Sequence, residues 1–442
     1  MSSTLDRIVV IGGGVGGCCT ALELAEAGFT VDVIEKEQDL MKCTSNVTPG
    51  RMGLGFHYQH VETALFYLRA TVRFARDFGH FRIAKEKPLN HPLRRGRYFI
   101  LKCSKEPPEE TLKTYEAIKQ EYAKLIAEDP RNKVFGSSEN LFKLLDQKEF
   151  ENDVPVDIVK YGVETAEEFL DWVAFRTQLI EKIDRKARLG QIKVHLGTEV
   201  TQICQLRDGM YCIDCVHHTR RGSFCQHFSL STNRLVNSAW QNIAALNTTA
   251  NLTAKPRLNR VKAIATIELP PEIKYMHSMF FCMGPFCMFS NRGNGTGVIT
   301  YAPVTNIGFF TTDRVPAELE HIMISMTGDE KIRIYGKAIL KGVSHYIPKL
   351  ASAKILKVET GIVQTYLTSD HCEYDFMLGD NCFIHDPSSS AGIHQRNYSG
   401  VEKLAPGFVV NSCMKLLYCM DNAKVVRKIF TKNKDQRLPK QI

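Results

Sequence analysis

Residues 7–36 read Arg7-Ile-Val-Val-Ile-Gly12-Gly-Gly14-Val-Gly-Gly17, then on to Val31-Asp-Val-Ile-Glu35-Lys36. The apolar run before Gly12 predicts a buried strand, and the residues from Val15 predict a helix. Gly12, Gly14 and Gly17 fit G-x-G-x-x-G. The first permits the tight turn, the second lets a pyrophosphate approach the backbone, and the third lets the helix lie close to the sheet. The free N–H groups and dipole of the helix start, at Val15, then face phosphate. Gly28 suits the position just past the helix, where φ is often positive. Val31–Ile34 predicts the second strand. Glu35 ends it, where a carboxylate reaches ribose hydroxyls, and Lys36 follows. Strand, turn, helix, stop and acid fall in the order that a dinucleotide site requires.

The chain has 442 residues, 44% hydrophobic and 24% charged, which suits a globular protein of two interleaved domains. No apolar run is long enough to span a bilayer. The first residues lack the apolar core of a secretory signal, so a cytoplasmic protein is expected. The net charge of +9 suits an anionic substrate and leaves peripheral contact with a membrane surface open. The basic residues are dispersed, and no nucleic-acid partner is expected. The 14 cysteines fit reduced, mostly buried thiols. Cys212 and Cys215 form a C-x-x-C on a predicted strand, Tyr211–Val216, where they point to opposite faces. No metal site is expected. Oligomeric state is not legible.

Periodicity predicts helices over Val61–Phe78, Glu109–Glu128, Thr165–Leu189 and Asp421–Phe430. Strands are predicted at Arg97–Lys102, Lys193–Leu196, Glu199–Gln205, Arg234–Ala239, Val358–Tyr366, Asn381–His385 and Gly407–Asn411, and short strands with glycine turns over 257–330. Two strands do not complete a nucleotide sheet, so later apolar strands must return to it. Segments 1–85, 156–250 and 355–442 are therefore expected to form the nucleotide-binding domain. Segments 86–155 and 251–354 are expected to form an inserted substrate domain, mainly antiparallel.

With these residues in view, the chain resembles the FAD-dependent D-amino-acid oxidase superfamily. Its flavin-linked glycerol-3-phosphate dehydrogenases and L-2-hydroxyglutarate oxidases look most similar. Leu196-Gly-Thr-Glu-Val200 resembles the strand that contacts adenine, which implies that role for Val200. Arg234-Leu-Val-Asn-Ser-Ala-Trp240 resembles the "V-N-A-A-G" strand. His394-Gln-Arg396-Asn-Tyr398 with Gly407 to Lys415-Leu416 resembles the stretch ending "G-G-K-L-T-T" beside the isoalloxazine ring. Thr44, Ser45, Arg51 and Met52 resemble the loop lining flavin and pyrophosphate. The resemblance implies an α/β fold with a Rossmann-type FAD-binding domain, FAD as cofactor, and oxidation of a CH–OH or CH–NH bond.

Two positions depart from the family. Trp240 stands where glycine is usual, and Ser412-Cys413-Met414 replaces the double glycine that lets backbone approach the flavin. A second reading therefore stays open: a flavin-binding protein without turnover, acting in regulation or interaction. A third, a nicotinamide-dependent dehydrogenase, shares the glycine fingerprint but not the C-terminal Lys-Leu loop.

An anionic substrate calls for a guanidinium, which binds carboxylate or phosphate through two parallel hydrogen bonds. Arg396 is the first candidate; Arg51 and Arg260 follow, each with a plain salt bridge as the alternative. His57, in Gly55-Phe-His57-Tyr58, is open to three roles: catalytic base, covalent flavin anchor, or local hydrogen-bonding residue. Tyr58 and Tyr398 are candidates to orient substrate or to pack.

Overall fold

A computed structural model describes residues 7–58, 60–104, 107–218, 225–282, 284, 286–366 and 398–435. Its first sheet is six-stranded and gathers distant parts of the chain. Arg7–Ile11 lies at its centre, between Thr30–Ile34 and Leu235–Asn237, with Ile192–His195 and Phe408–Asn411 further out. These five strands are parallel; Val401–Ala405 adds an antiparallel edge. The central parallel strands are short and mostly apolar because both their faces are buried, whereas the edge strand Ile192–His195 is half polar and mostly accessible. Ile8 and Val10 pack with the helices, whereas Val9 and Ile11 pack on the opposite side. That opposite side is covered by a three-stranded antiparallel meander, Thr198–Gln205, Tyr211–His218 and Cys225–Thr232.

The helix after the glycine turn, Val15–Glu26, ends as its sequence requires. Gly28 takes φ +83°. The amide of Phe29 donates to Leu24 O and that of Gly28 to Ala25 O, both at 3.1 Å. This pair of bonds satisfies carbonyls that a helix end would otherwise leave bare.

The second sheet has nine strands and is almost wholly antiparallel. Arg257–Glu268 runs through it and pairs along its length with Lys354–Tyr366. The exception is the parallel pair Gly96–Leu101 and Ser278–Cys282. Together the two sheets give an α/β fold: a Rossmann-type parallel sheet with an inserted, mainly antiparallel sheet carrying helices.

Val159–Thr165 and Lys354–Tyr366 pair in the second sheet. Two expectations of secondary structure need correction. Thr165–Leu189 is not one helix. Glu168–Phe169 pairs with Arg51–Met52, and the helix begins at Trp172 behind Asp171, whose carboxylate accepts from the amide of Ala174 at 3.0 Å. Residues 317–346 carry helical segments where only strands and turns were expected up to 330. The expected strand at Asn381–His385 lies outside the described residues. Among the described residues, no helix is long and apolar enough to cross a membrane.

Candidate active site

The glycine turn is built as its spacing predicts. Gly12 has φ +98°, and a Cβ there would stand 2.5 Å from Ser238 O. A Cβ on Gly17 would meet Gly12 O at 1.8 Å, so helix and strand touch at that point. Gly14 precedes the helix, and a Cβ there would meet only Ser45 Oγ, at 3.1 Å. Glu35 accepts from the amides of Gly13 at 2.6 Å and Glu37 at 2.8 Å. Burial nonetheless pushes its carboxyl above the ordinary range, against those two amides.

A cavity of about 580 Å³ runs from Glu35 and Val200, past Gly12, Gly14 and Ser45, to His57, Lys415 and Phe280. Val15, Lys36, Thr44, Arg51, Tyr58 and Leu416 also line it. The loop from Thr44 is tied to the first helix and to the second sheet. Ser45 Oγ accepts from the amide of Val15, and Thr44 Oγ1 accepts from that of Ile362, each at 3.0 Å.

Six aromatic and charged side chains crowd one wall: Arg51, His57, Tyr58, Tyr67, Phe280 and Lys415. Arg51 pairs with Glu167 and lies over the Phe280 ring, 3.5 Å from its centroid. Its Nη2 is 3.3 Å from His57 Nδ1. The His57 ring packs on Tyr58, with centroids 3.8 Å apart. Lys415 Nζ lies 5.5 Å from the Tyr58 centroid and 5.4 Å from that of Tyr67. On the second sheet, Arg260, Lys262 and Ile264 all line the cavity, as alternate residues of one strand can.

Both departures from glycine keep the backbone that glycine would adopt: Trp240 has φ +53° and Cys413 φ +41°. Side chains there cost about 1–2 kcal/mol each in the left-handed region, so local bonds must hold them. Trp240 Nε1 donates to Ile362 O at 3.1 Å. The amide of Cys413 donates to Asn411 Oδ1 at 3.1 Å, and Arg257 fixes Ser412 Oγ at 2.9 Å.

Among the residues singled out from sequence, Met52 belongs elsewhere. It is fully buried in the core and does not line the cavity, because its strand pairs with Glu168–Phe169 beneath the loop. Gly17 also stays out of the lining, as its packing against Gly12 requires. Tyr398 stacks on Tyr366 at 4.5 Å, and its hydroxyl accepts from the Tyr366 amide at 3.1 Å. Arg396 lies outside the described residues. Sequence reasoning missed Glu167, Asn411 and Ser238. Ser238 and Asn411 lie inside stretches that resemble the family's strands, but neither residue carries a signal of its own.

The lining fits an extended dinucleotide. Gly14 leaves room where a larger side chain would enter the cavity. Two buried lining atoms, Ser238 Oγ and Asn306 Oδ1, have no hydrogen-bond partner among the described residues. Such atoms call for a polar ligand or water. The glycine turn, the acid ending the second strand and the antiparallel sheet over one long cavity define a dinucleotide-binding oxidoreductase. The family model described as FAD dependent oxidoreductase matches residues 7–411, and the chain belongs to that family, whose cofactor is FAD.

No curated protein matches the sequence. Among solved structures, the chain is similar to L-proline dehydrogenase from P. horikoshii, with a TM-score of 0.60 and 15% identity over 97% of this chain and 94% of that one. It is also similar to L-alpha-glycerophosphate oxidase from Mycoplasma pneumoniae with FAD bound: TM-score 0.61, 16% identity, 96% and 94% covered. A third is glycine oxidase from Geobacillus kaustophilus: TM-score 0.60, 13% identity, 97% and 95% covered. At these identities the likeness is one of fold.

Proposed function

We propose that this FAD-dependent oxidoreductase oxidises a CH–OH or CH–NH bond of a small anionic substrate. The observation that carries this reading is the pair Arg260 and Lys262, side by side on one strand face and both lining the cavity. Cations on a cavity wall attract and orient an anion more strongly than they would in water. FAD, when bound, accepts the hydride; the rest of the work falls to the chain. Gly12, Gly14, Val15, Glu35, Lys36, Thr44, Ser45 and Val200 are assigned to the ADP half of the cofactor. Arg51, Lys415 and Leu416 are assigned to its ring end. Arg260 and Lys262 hold the substrate's anion, with Arg396 assigned to the same task. His57 and Tyr58 are assigned to the hydroxyl or amine that is oxidised. The similar folds of a glycerophosphate oxidase and a glycine oxidase support this substrate range.

We place the nucleotide-binding domain on the strands of the parallel sheet and the substrate domain on those of the second sheet. This moves residues 159–165 and 354–366 to the latter.

The test compares each 2-hydroxy acid, amino acid or glycerol 3-phosphate with its neutral ester or amide. The reading expects turnover of an acid and a KM for its neutral analogue at least tenfold higher, a loss of about 1.4 kcal/mol or more. Equal turnover of both forms would remove the anion from the account. The reading without turnover is not favoured, because Trp240 and Cys413 keep the positive φ expected of glycine.

A further inference from the structure

The strand Tyr211–His218 separates Cys212 from Cys215, but it gives Cys212 another partner. Cys215 faces inward, 1% exposed, into the core between the meander and the parallel sheet. Cys212 faces outward. Directly opposite it, on the neighbouring antiparallel strand Thr198–Gln205, stands Cys204. Both thiols are free and half-buried. The hairpin between the strands fixes their geometry. The Leu206 amide donates to Met210 O at 2.7 Å and the Gly209 amide to Leu206 O at 3.1 Å, with Gly209 at φ +78°. Leu206 and Met210 are therefore a hydrogen-bonded pair, and so, two residues further along each strand, are Cys204 and Cys212. Such a pair has Cα atoms about 5.5 Å apart, inside the range of about 4.4–6.8 Å that a disulfide spans. Its Cβ atoms, roughly 4.5–5.5 Å apart, must close to about 3.5–4.5 Å. A bridge is thus within reach of a small strand movement, and it is strained once made.

We infer that Cys204 and Cys212 form a reversible redox pair, which a low-molecular-weight disulfide oxidises to a cross-strand bridge. The two thiols have different parts in it. Burial, and then the carboxylate of Asp214, holds the Cys212 thiol above its ordinary value, and Cys212 Sγ donates to Asp214 Oδ1 at 3.7 Å. Thiolate is the attacking species in thiol–disulfide exchange, so the first attack falls to Cys204. Its thiolate attacks one sulfur of the small disulfide and expels one thiolate, leaving a mixed disulfide. Cys212 then gives up its proton, attacks Cys204 Sγ and expels the second. Two protein thiols are oxidised, the reagent is reduced to two thiols, and the protons that the cysteines lose end on those thiols. A strained and accessible bridge is readily reopened by reductant. Neither cysteine lines the cavity, so this chemistry is independent of the function proposed above.

The experiment treats the full-length holoenzyme with oxidised glutathione, blocks the remaining thiols and analyses a tryptic digest by mass spectrometry. Trypsin cuts after Arg207, between the two cysteines, so a bridge leaves two peptides joined. The expected result is the loss of both free thiols, a joined pair lighter by two hydrogen atoms than the separate peptides, and separation of the pair by excess reduced glutathione. Cys204→Ser should give no joined pair, whereas Cys215→Ala should give the same pair as wild type. Wild-type peptides that stay separate at every ratio of oxidised to reduced glutathione would overturn the inference. So would a bridge made by Cys215, or one that excess reduced glutathione leaves closed. If a variant does not fold, fragmentation of the wild-type pair still decides whether Cys212 or Cys215 holds the bridge.

Discussion

Cys413 is seated directly against Gly16: a Cβ built on Gly16 would stand 2.7 Å from the Cβ of Cys413. The side chain that replaces a family glycine on one loop is thus accommodated by a glycine on the first helix. Asn411 joins the same two elements, donating to Thr20 Oγ1 at 3.0 Å while its Oδ1 accepts from the Cys413 amide.

This contact predicts coupling. Gly16→Ala should destabilise the protein by about 1–3 kcal/mol, the usual cost of overpacking. Cys413→Gly alone should change stability by less than about 1 kcal/mol. Relief of the left-handed conformation is offset by the greater freedom of glycine in the unfolded chain. In the double variant most of the Gly16→Ala cost should disappear. Urea midpoints for the four proteins give the coupling, and strict additivity would show that the two sites do not touch.

The fingerprint glycines should separate by role. Gly14→Val should purify folded but without flavin, because the side chain enters the cavity beside Ser45. Gly17→Ala should fail earlier, as misfolded or insoluble protein, because its Cβ cannot coexist with Gly12 O. Circular dichroism and flavin content measured together distinguish the outcomes. A Gly14→Val protein carrying a full complement of flavin would mean the site is misplaced.

A pH effect follows from Asp32. Burial pushes its carboxyl up, but hydrogen bonds from His195 and Arg7 outweigh this and hold it below the ordinary value. The folded state therefore binds this proton less readily than the unfolded chain. The stabilisation is fully present above the unfolded pKa of about 4, and is lost as pH falls through the lower folded value. Asp32→Asn should be less stable than wild type at about pH 6, and the gap should close as the pH falls through the lowered folded value. A gap that stays constant with pH would exclude the ionised form as its source.

Arg260→Met and Lys262→Met should each raise KM for the anionic substrate by about 10–100-fold while flavin content stays at the wild-type level. Loss of flavin instead would move these cations from the substrate to the cofactor.

Much of this was legible in the sequence because the evidence was local. Gly12, Gly14, Gly17 and Glu35 fall within one strand-turn-helix-strand unit, and the helix Val61–Phe78 has the bounds its periodicity gives. What was not legible depends on pairing across long separations. Val159–Thr165 reads V-K-Y-G-V-E-T, which has no clear period; it becomes a strand because Gly96–Leu101 offers it an edge. Glu167 looks like one of many surface acids until Arg51 and Tyr98 close around it. Met52 matched a cofactor loop in character, but the two-residue strand it occupies turns it into the core.

The most direct test of the central claim is the visible spectrum of the purified protein before and after anaerobic addition of 2-hydroxy acids, amino acids or glycerol 3-phosphate. The account predicts the absorption bands of non-covalently bound oxidised flavin, and their bleaching by at least one of these anions. Protein without flavin bands would contradict the cofactor site, and flavin that no compound in the panel bleaches would contradict the proposed oxidation.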